Sequence, residues 1–314
     1  MESTSTNLNS GCGAALISSH AAAILDQVEN LPTLPQVFAK LQKIIDSESS
    51  TVRDLVKVIE SDQALTARML KYANSPLFRG VNPIENVSQA VVRLGLQEVK
   101  NISLSIMVYD GLFRQSAGAY FNRVQFWKHS ILVGHGCVCL VNAMNLQSLK
   151  SVAFVAGLLH DTGIAILDRF FPDHFSGLIH SIDARREPLE LVEEGDEIPS
   201  HAVIGAFVLQ KWRLPEAVIE AVGCHHGPAE LFRTSPLGGV VRIVDCFVRR
   251  WGFPFYVSEP ASDPEVIKKT LAVGLGPESK SGKDLIDDLR RFTRSFPDSI
   301  PRHLESLSGV LSGF

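Results

Sequence analysis

Residues 157–163 read Gly-Leu-Leu-His-Asp-Thr-Gly and overlap the end of the apolar run 152–159. An imidazole and a carboxylate set into such a context cost several kcal/mol to bury unless each finds a partner. The stretch Val240-Val-Arg-Ile-Val-Asp245-Cys-Phe247 poses the same problem, and His129, His201 and the pair His225-His226 lie in further helix-like segments or at their ends. A divalent metal ion is the simplest common partner, and a hydrogen-bonded polar core is the alternative. Imidazole and carboxylate donors suit Zn, Mn or Fe, with Mg also open, and bundles commonly draw such sites from separate helices. His160 and Asp161 are about 100° apart on a regular helix. Both can therefore face one point only at an irregular or terminal turn, for which Gly163 supplies a reason.

Outward from this stretch the chain reads as helix. Pro35 suits a first helical turn, and Val37, Phe38, Leu41, Ile44 and Ile45 share one face. Ser50/Thr51 and Asp62 are start signals for the next two helices, and Asn74-Ser75-Pro76 ends the second. Further helices are expected over 87–94, 99–113, 123–144, 151–170, 173–182, 201–212, 216–222 and 237–251. No segment alternates with period two between turn residues, so the fold class is all-α. The organisation expected is a flexible leader and first helix over 1–24, an N-terminal helical bundle over 25–118, a second helical domain over 119–251, and a helical C-terminal extension over 252–314. The weak apolar periodicity of that extension suggests an appendage to the core.

The composition narrows the function classes. Of 314 residues, 45% are hydrophobic, enough for a substantial core. The formal charge of −4 offers no basic footprint, so nucleic-acid binding is not expected. No apolar run approaches the roughly 20 residues of a membrane span. The opening Met-Glu-Ser-Thr-Ser-Thr-Asn does not resemble a secretory signal, and five cysteines without Cys-x-x-Cys spacing fit reduced thiols. The expected location is the cytoplasm.

The order His129, His160-Asp161, His201, His225-His226, Asp245 resembles the HD superfamily of metal-dependent phosphohydrolases. Residues 25–250 resemble its signalling offshoot, the HDOD (HD-related output domain) proteins. The resemblance rests on Leu31-Pro-Thr-Leu-Pro35, Ile59-Glu-Ser-Asp-Gln-Ala-Leu-Thr-Ala-Arg-Met-Leu70, Ala73-Asn-Ser75, Ala90-Val-Val-Arg-Leu-Gly95, Phe126-Trp-Lys-His129, Ala156-Gly-Leu-Leu-His-Asp161 and Leu209-Gln-Lys-Trp-Arg-Leu-Pro215. It implies a bundle packed on an HD-like helical domain and a bacterial signal-transduction role, commonly without catalysis. It also implies His129, His160, Asp161 and Asp245 as ligands of one metal, with His201, His225 and His226 at the place of a second and Asp161 as the candidate catalytic group.

Three departures weigh against hydrolysis. Ile164 stands where such enzymes commonly carry a lysine after His-Asp-x-Gly. His226 runs into Gly227-Pro228-Ala229 rather than a Gly-Tyr-Pro element, and Gln125 lies near the place of a carboxylate ligand. A second ion also needs more carboxylate charge than the pattern supplies, because Glu193-Glu194-Gly195-Asp196-Glu197 reads as an exposed acidic loop. Arg249-Arg250 and Arg290-Arg291 with Arg294 read as solvated faces. Trp127 and Trp212 read as core anchors, and His20, His135, His174, His180 and His303 belong to no constellation. The reading is a regulatory module that binds a signalling protein or a small ligand, with a metal-dependent phosphohydrolase as the alternative.

Overall fold

A computed structural model describes residues 40–41, 43–44, 51–74, 82–113, 122–256, 260, 263–275 and 282–311. The leader, Leu31–Pro35, Val37, Phe38 and Ile45 lie outside the described residues. Every regular element among those described is helical.

The N-terminal bundle consists of α1 (Val52–Glu60), α2 (Gln63–Ala73), α3 (Val87–Leu94) and α4 (Leu96–Phe113). Thr51 caps α1 through a reciprocal capping box with Asp54, and Asp62 caps α2 by accepting from the Leu65 N–H at 3.0 Å. Asn74 closes α2 and bridges to α3's approach, donating to the Ile84 carbonyl and accepting from its N–H. Leu41, Leu55, Ile59, Met69 and Tyr72 are buried where these helices meet.

The second block starts with α5 (Arg123–Ala143), whose core is anchored by the buried Trp127. It continues with α6 (Ala153–Leu159), α7 (Thr162–Phe170), α8 (Pro172–Arg185), α9 (Leu189–Val192), α10 (His201–Lys211), α11 (Glu216–Cys224) and α12 (Pro236–Arg250). The stretch expected as one helix over 151–170 is two, broken at His160-Asp161. The four-residue α9 carries no sequence signal of its own. Helices α5 and α6 touch backbone to backbone: a Cβ on Gly157 would lie 2.8 Å from the Gly134 Cα. Only glycine allows that approach, which draws His129 and His160 together.

The C-terminal extension is no loose appendage. After α13 (Pro264–Lys269) comes the long α14 (Gly282–Leu311), which packs along α5 and reaches α2. Its Phe292, Phe296 and Ile300 are buried, and Phe292 and Phe296 ring-pack with Trp251. Pro297 and Pro301 lie inside this helix and obscure its apolar stripe in the sequence.

Candidate metal centre

All seven expected side chains gather around the Asp161 carboxylate. Helix α6 ends at Leu159 and α7 begins at Thr162, so His160 and Asp161 occupy the break between them. Asp161 lies outside helical geometry with φ −97° and ψ 15°. Its Oδ2 is 3.1 Å from His160 Nε2 and 3.4 Å from His129 Nε2. Its Oδ1 is 3.4 Å from His201 Nε2 and 3.6 Å from His225 Nε2. Asp245 approaches from α12, with Oδ1 3.4 Å from His129 Nε2. His226 packs tilted against His225, with ring centroids 3.9 Å apart. Donor atoms of His129, His160 and Asp245 lie within 4.8 Å of one another, as do those of Asp161, His201, His225 and His226.

Each inward-facing imidazole is oriented from behind. His129 Nδ1–H donates to the Phe253 carbonyl at 2.7 Å, His160 Nδ1–H to Gly157 at 2.8 Å, and His225 Nδ1–H to Val222 at 2.7 Å. His201 Nδ1–H donates to Glu193 Oε2 at 2.7 Å. Committing Nδ1 as donor leaves Nε2 as the lone-pair nitrogen of the neutral ring, the tautomer a metal requires. The Nε2 atoms of His201 and His225 are buried without a hydrogen-bond partner. Orphaned buried acceptors are costly, so two such atoms aimed at one carboxylate fit an ion between them.

Charge reinforces the geometry. Burial disfavours a charged His129, but Asp161 and Asp245 overcome it and raise its pKa to about 10. Burial likewise opposes, and Glu193 with Asp161 outweighs it to raise, the His201 pKa well above its ordinary value. Burial acts to raise the pKa of Asp161, yet the surrounding imidazoles hold its carboxyl well below the usual range. For His225 burial prevails and lowers the pKa to about 4. Without an ion the centre thus carries protons on His129 and His201, and an ion would replace them.

Two contributing residues were read otherwise from sequence, and a third, Glu190, was not singled out there. Glu193, expected in an exposed acidic loop, is buried and also accepts from the His201 backbone N–H at 2.8 Å, at the start of α10. Its place eight residues before a histidine in a run of acids masks it. Arg249, expected on a solvated face, is buried; it donates to Asp245 Oδ2 at 2.6 Å and to both Glu190 oxygens at 3.3 Å. Its i, i+4 spacing from Asp245 was the available signal. Glu190 lies 3.7 Å from His226 Nδ1, so the expected shortage of carboxylate charge around the later histidines does not hold. Arg242 on α12 fixes the double-histidine turn by donating to the His225 and Gly227 carbonyls at 3.1 and 3.0 Å.

Gly163 acts by closeness rather than by bending the chain. A Cβ there would lie 1.9 Å from the His201 carbonyl oxygen, so its absence lets α7 press against the start of α10. Ile164 is buried in the wall above the centre. Gln125 turns to the chain beyond α12, donating to the Pro254 carbonyl at 3.0 Å. Outside the site, His135 is buried and stacks on His303. Arg290 pairs with Asp287 on an exposed face, as expected.

A break between helices that presents a His-Asp pair to histidines and an aspartate from neighbouring helices defines an all-helical protein of HD type. The chain belongs to the HDOD family: the HDOD domain model matches residues 31–228. An uncharacterized protein of Treponema pallidum (strain Nichols) is 30% identical over 230 residues, 73% of this chain and 44% of its own length. The chain thus spans less than half of that relative. An HDOD domain protein of unknown function from Geobacter sulfurreducens superposes with a TM-score of 0.72 at 22% identity, over 93% of this chain and 97% of its own. A candidate phosphohydrolase from Shewanella amazonensis SB2B gives the same TM-score and identity over 93% and 99%. A candidate signal transduction protein from Marinobacter aquaeolei VT8 gives 0.68 at 21% over 95% and 67%. At these identities the likeness is one of fold.

Proposed function

We propose that the chain is a signal-transduction module that binds a signalling protein or a small ligand and holds a divalent metal as a structural and sensing element. His129, His160, Asp161 and Asp245 form the first ligand set. His201, His225 and His226, sharing Asp161, form a weaker second one. The observation that carries this reading is narrowness: the cavity beside the centre is about 10 Å³, room for about one water and not for a phosphodiester in this arrangement of side chains. Leu189, Glu190, Phe255 and Arg249 roof it, and Ile164 places an apolar wall where a cation would hold substrate phosphate. No helix among the described residues is long and apolar enough to cross a membrane. Cys137 and Cys139 carry free thiols, which suits a reducing cytoplasm.

The second reading, a metal-dependent phosphohydrolase, is favoured by four oriented Nε2 atoms around one carboxylate. An ion in that place would polarise a phosphoryl oxygen as a Lewis acid. The chain's own residues would orient the donors, with the Phe253 carbonyl and Glu193 holding the Nδ1–H of His129 and His201 so that each Nε2 is left to the ion. Asp161, the candidate catalytic group, turns both oxygens toward imidazoles and so serves better as a bridge than as a proton acceptor.

Metal analysis of the purified protein, followed by a phosphodiesterase screen with added Mn²⁺ or Fe²⁺, separates the two. The module reading expects bound metal and no turnover. Turnover abolished by His160→Ala or Asp161→Ala would sink it, and absence of any metal would remove both the metal set and the hydrolase.

A further inference from the structure

Glu190 stands between two spaces. On one side is the small cavity of about 10 Å³ beside Asp161 and Asp245; on the other is a groove of about 640 Å³. Grooves of roughly 300–1,000 Å³ are the size of small-molecule sites. Glu190, His201 and His226 line both spaces, so the wall between groove and centre is one side chain thick at Glu190.

The manner in which Glu190 is held indicates what else could take its place. Its two oxygens each meet a different guanidinium nitrogen of Arg249, both at 3.3 Å. This fork is the geometry by which arginine recognises a carboxylate or a phosphate. The bonds are long beside the roughly 2.7–2.9 Å usual for charge-assisted pairs. The same guanidinium holds Asp245 at 2.6 Å. Asp245 is therefore the fixed partner and Glu190 the exchangeable one. Exposure agrees: the Arg249 side chain is 4% accessible, the Glu190 side chain 18%. Glu190 also rides on α9, a single helical turn.

Two arginines line the groove itself, Arg242 and the exposed Arg186, and Arg249 adds a third guanidinium behind Glu190. Glu193 is spent on His201, and Asp263 accepts from the Glu265 N–H. Arg242 is fixed to two carbonyls at the groove's inner end.

We infer that the Arg249 fork is a binding subsite for the oxyanion of a small ligand seated in the groove, occupied here by Glu190 as a tethered stand-in. The ligand's phosphate or carboxylate displaces the Glu190 side chain, which swings off His226 and opens the centre to the groove. This rests on the ligand-binding half of the proposed function and not on the metal.

Isothermal titration of inorganic phosphate, and separately of acetate, into the full chain tests it. The proteins are wild type, Glu190→Gln, and Glu190→Gln combined with Arg249→Met or with Arg249→Lys, with metal content and circular dichroism recorded for each. Removing a tethered competitor, whose effective concentration is in the millimolar range or above, should tighten phosphate binding by about tenfold in Glu190→Gln. Either Arg249 change should abolish that gain. Arg249→Lys keeps a cation on Asp245, so its fold survives if the methionine variant fails. Acetate tightened in parallel assigns the subsite to any oxyanion; tightening of phosphate alone assigns it to phosphorylated ligands. Phosphate bound no more tightly by folded Glu190→Gln than by wild type overturns the inference, as does a gain that survives loss of Arg249. A chain that takes up no metal but shows the Glu190 effect sinks the metal reading and leaves this one standing.

Discussion

Gly163→Ala is the smallest change that should damage both fold and centre. The added Cβ would lie 1.9 Å from the His201 carbonyl oxygen and 2.6 Å from its carbon, against ordinary contact from 3.4 Å. The shortfall at the oxygen is 3.4 − 1.9 = 1.5 Å. The obstructing atoms are backbone, so no rotamer change relieves them, and α7 must separate from the start of α10. Overpacking of this kind costs about 1–3 kcal/mol, and a backbone collision belongs at the upper end, about 3 kcal/mol. The same displacement carries His201 away from Asp161, whose facing atoms are now 3.4 Å apart. Metal uptake by the Asp161, His201, His225 set should therefore fall while the His129, His160, Asp245 set is retained. Gly177→Ala is the control, since nothing lies within 4 Å of a Cβ there and the position is inside α8. It should be neutral or stabilising by up to about 1 kcal/mol. Urea unfolding and metal stoichiometry of the three proteins decide the matter. A Gly163→Ala protein within about 1 kcal/mol of wild type, with full metal content, would refute the close-approach argument.

Three further outcomes follow from the same geometry. Glu193→Gln loses the charge that orients His201, and metal affinity measured by chelator competition should drop about 10–100-fold, the usual effect of a residue behind a ligand; an unchanged affinity would place Glu193 outside the centre. Because His129 and His201 have pKa values raised above neutrality, zinc uptake at pH 7 should release about two protons and affinity should climb with pH; calorimetry in buffers of different ionisation enthalpy counts them, and none released contradicts the charge assignment. Burial lowers the His135 pKa to about 4 from its ordinary 6.5. The unfolded chain therefore gains a proton below pH 6.5 that the folded chain refuses until about 4. That protonation should cost about 3 kcal/mol in full, about 2 kcal/mol of it between pH 6.5 and 4.5, and His135→Leu should remove that share of the acid sensitivity in denaturation at those two pH values; equal pH slopes would show His135 protonating without penalty.

What the sequence disclosed and what it concealed divide along a physical line. Helix starts at Thr51 and Asp62 and the apolar faces of α1 to α8 and α10 to α12 depend on neighbours a few residues away, and so were legible. His129, His160, Asp161 and Asp245 were legible for another reason: polar groups among apolar ones must have partners. Glu193, Glu190 and Arg249 gave no such contrast. Glu193 and Arg249 stand in charged runs, where periodicity reports a wet surface, Glu190 lies between two leucines, and only contacts made in the fold take Glu193 and Arg249 out of water. Gly163 was noticed for the right place and the wrong cause, because a backbone contact with a residue 38 positions away leaves no local trace. The loss of lysine at Ile164 also takes on a different meaning once Arg249 is in place. A cation does stand over the centre, but it comes from α12 and is already engaged by Asp245 and Glu190. A hydrolase needs its cation available to substrate. A sensor can keep it covered until a ligand competes for it, and the hold of Glu190 on Arg249 is what supports the proposed reading over hydrolysis.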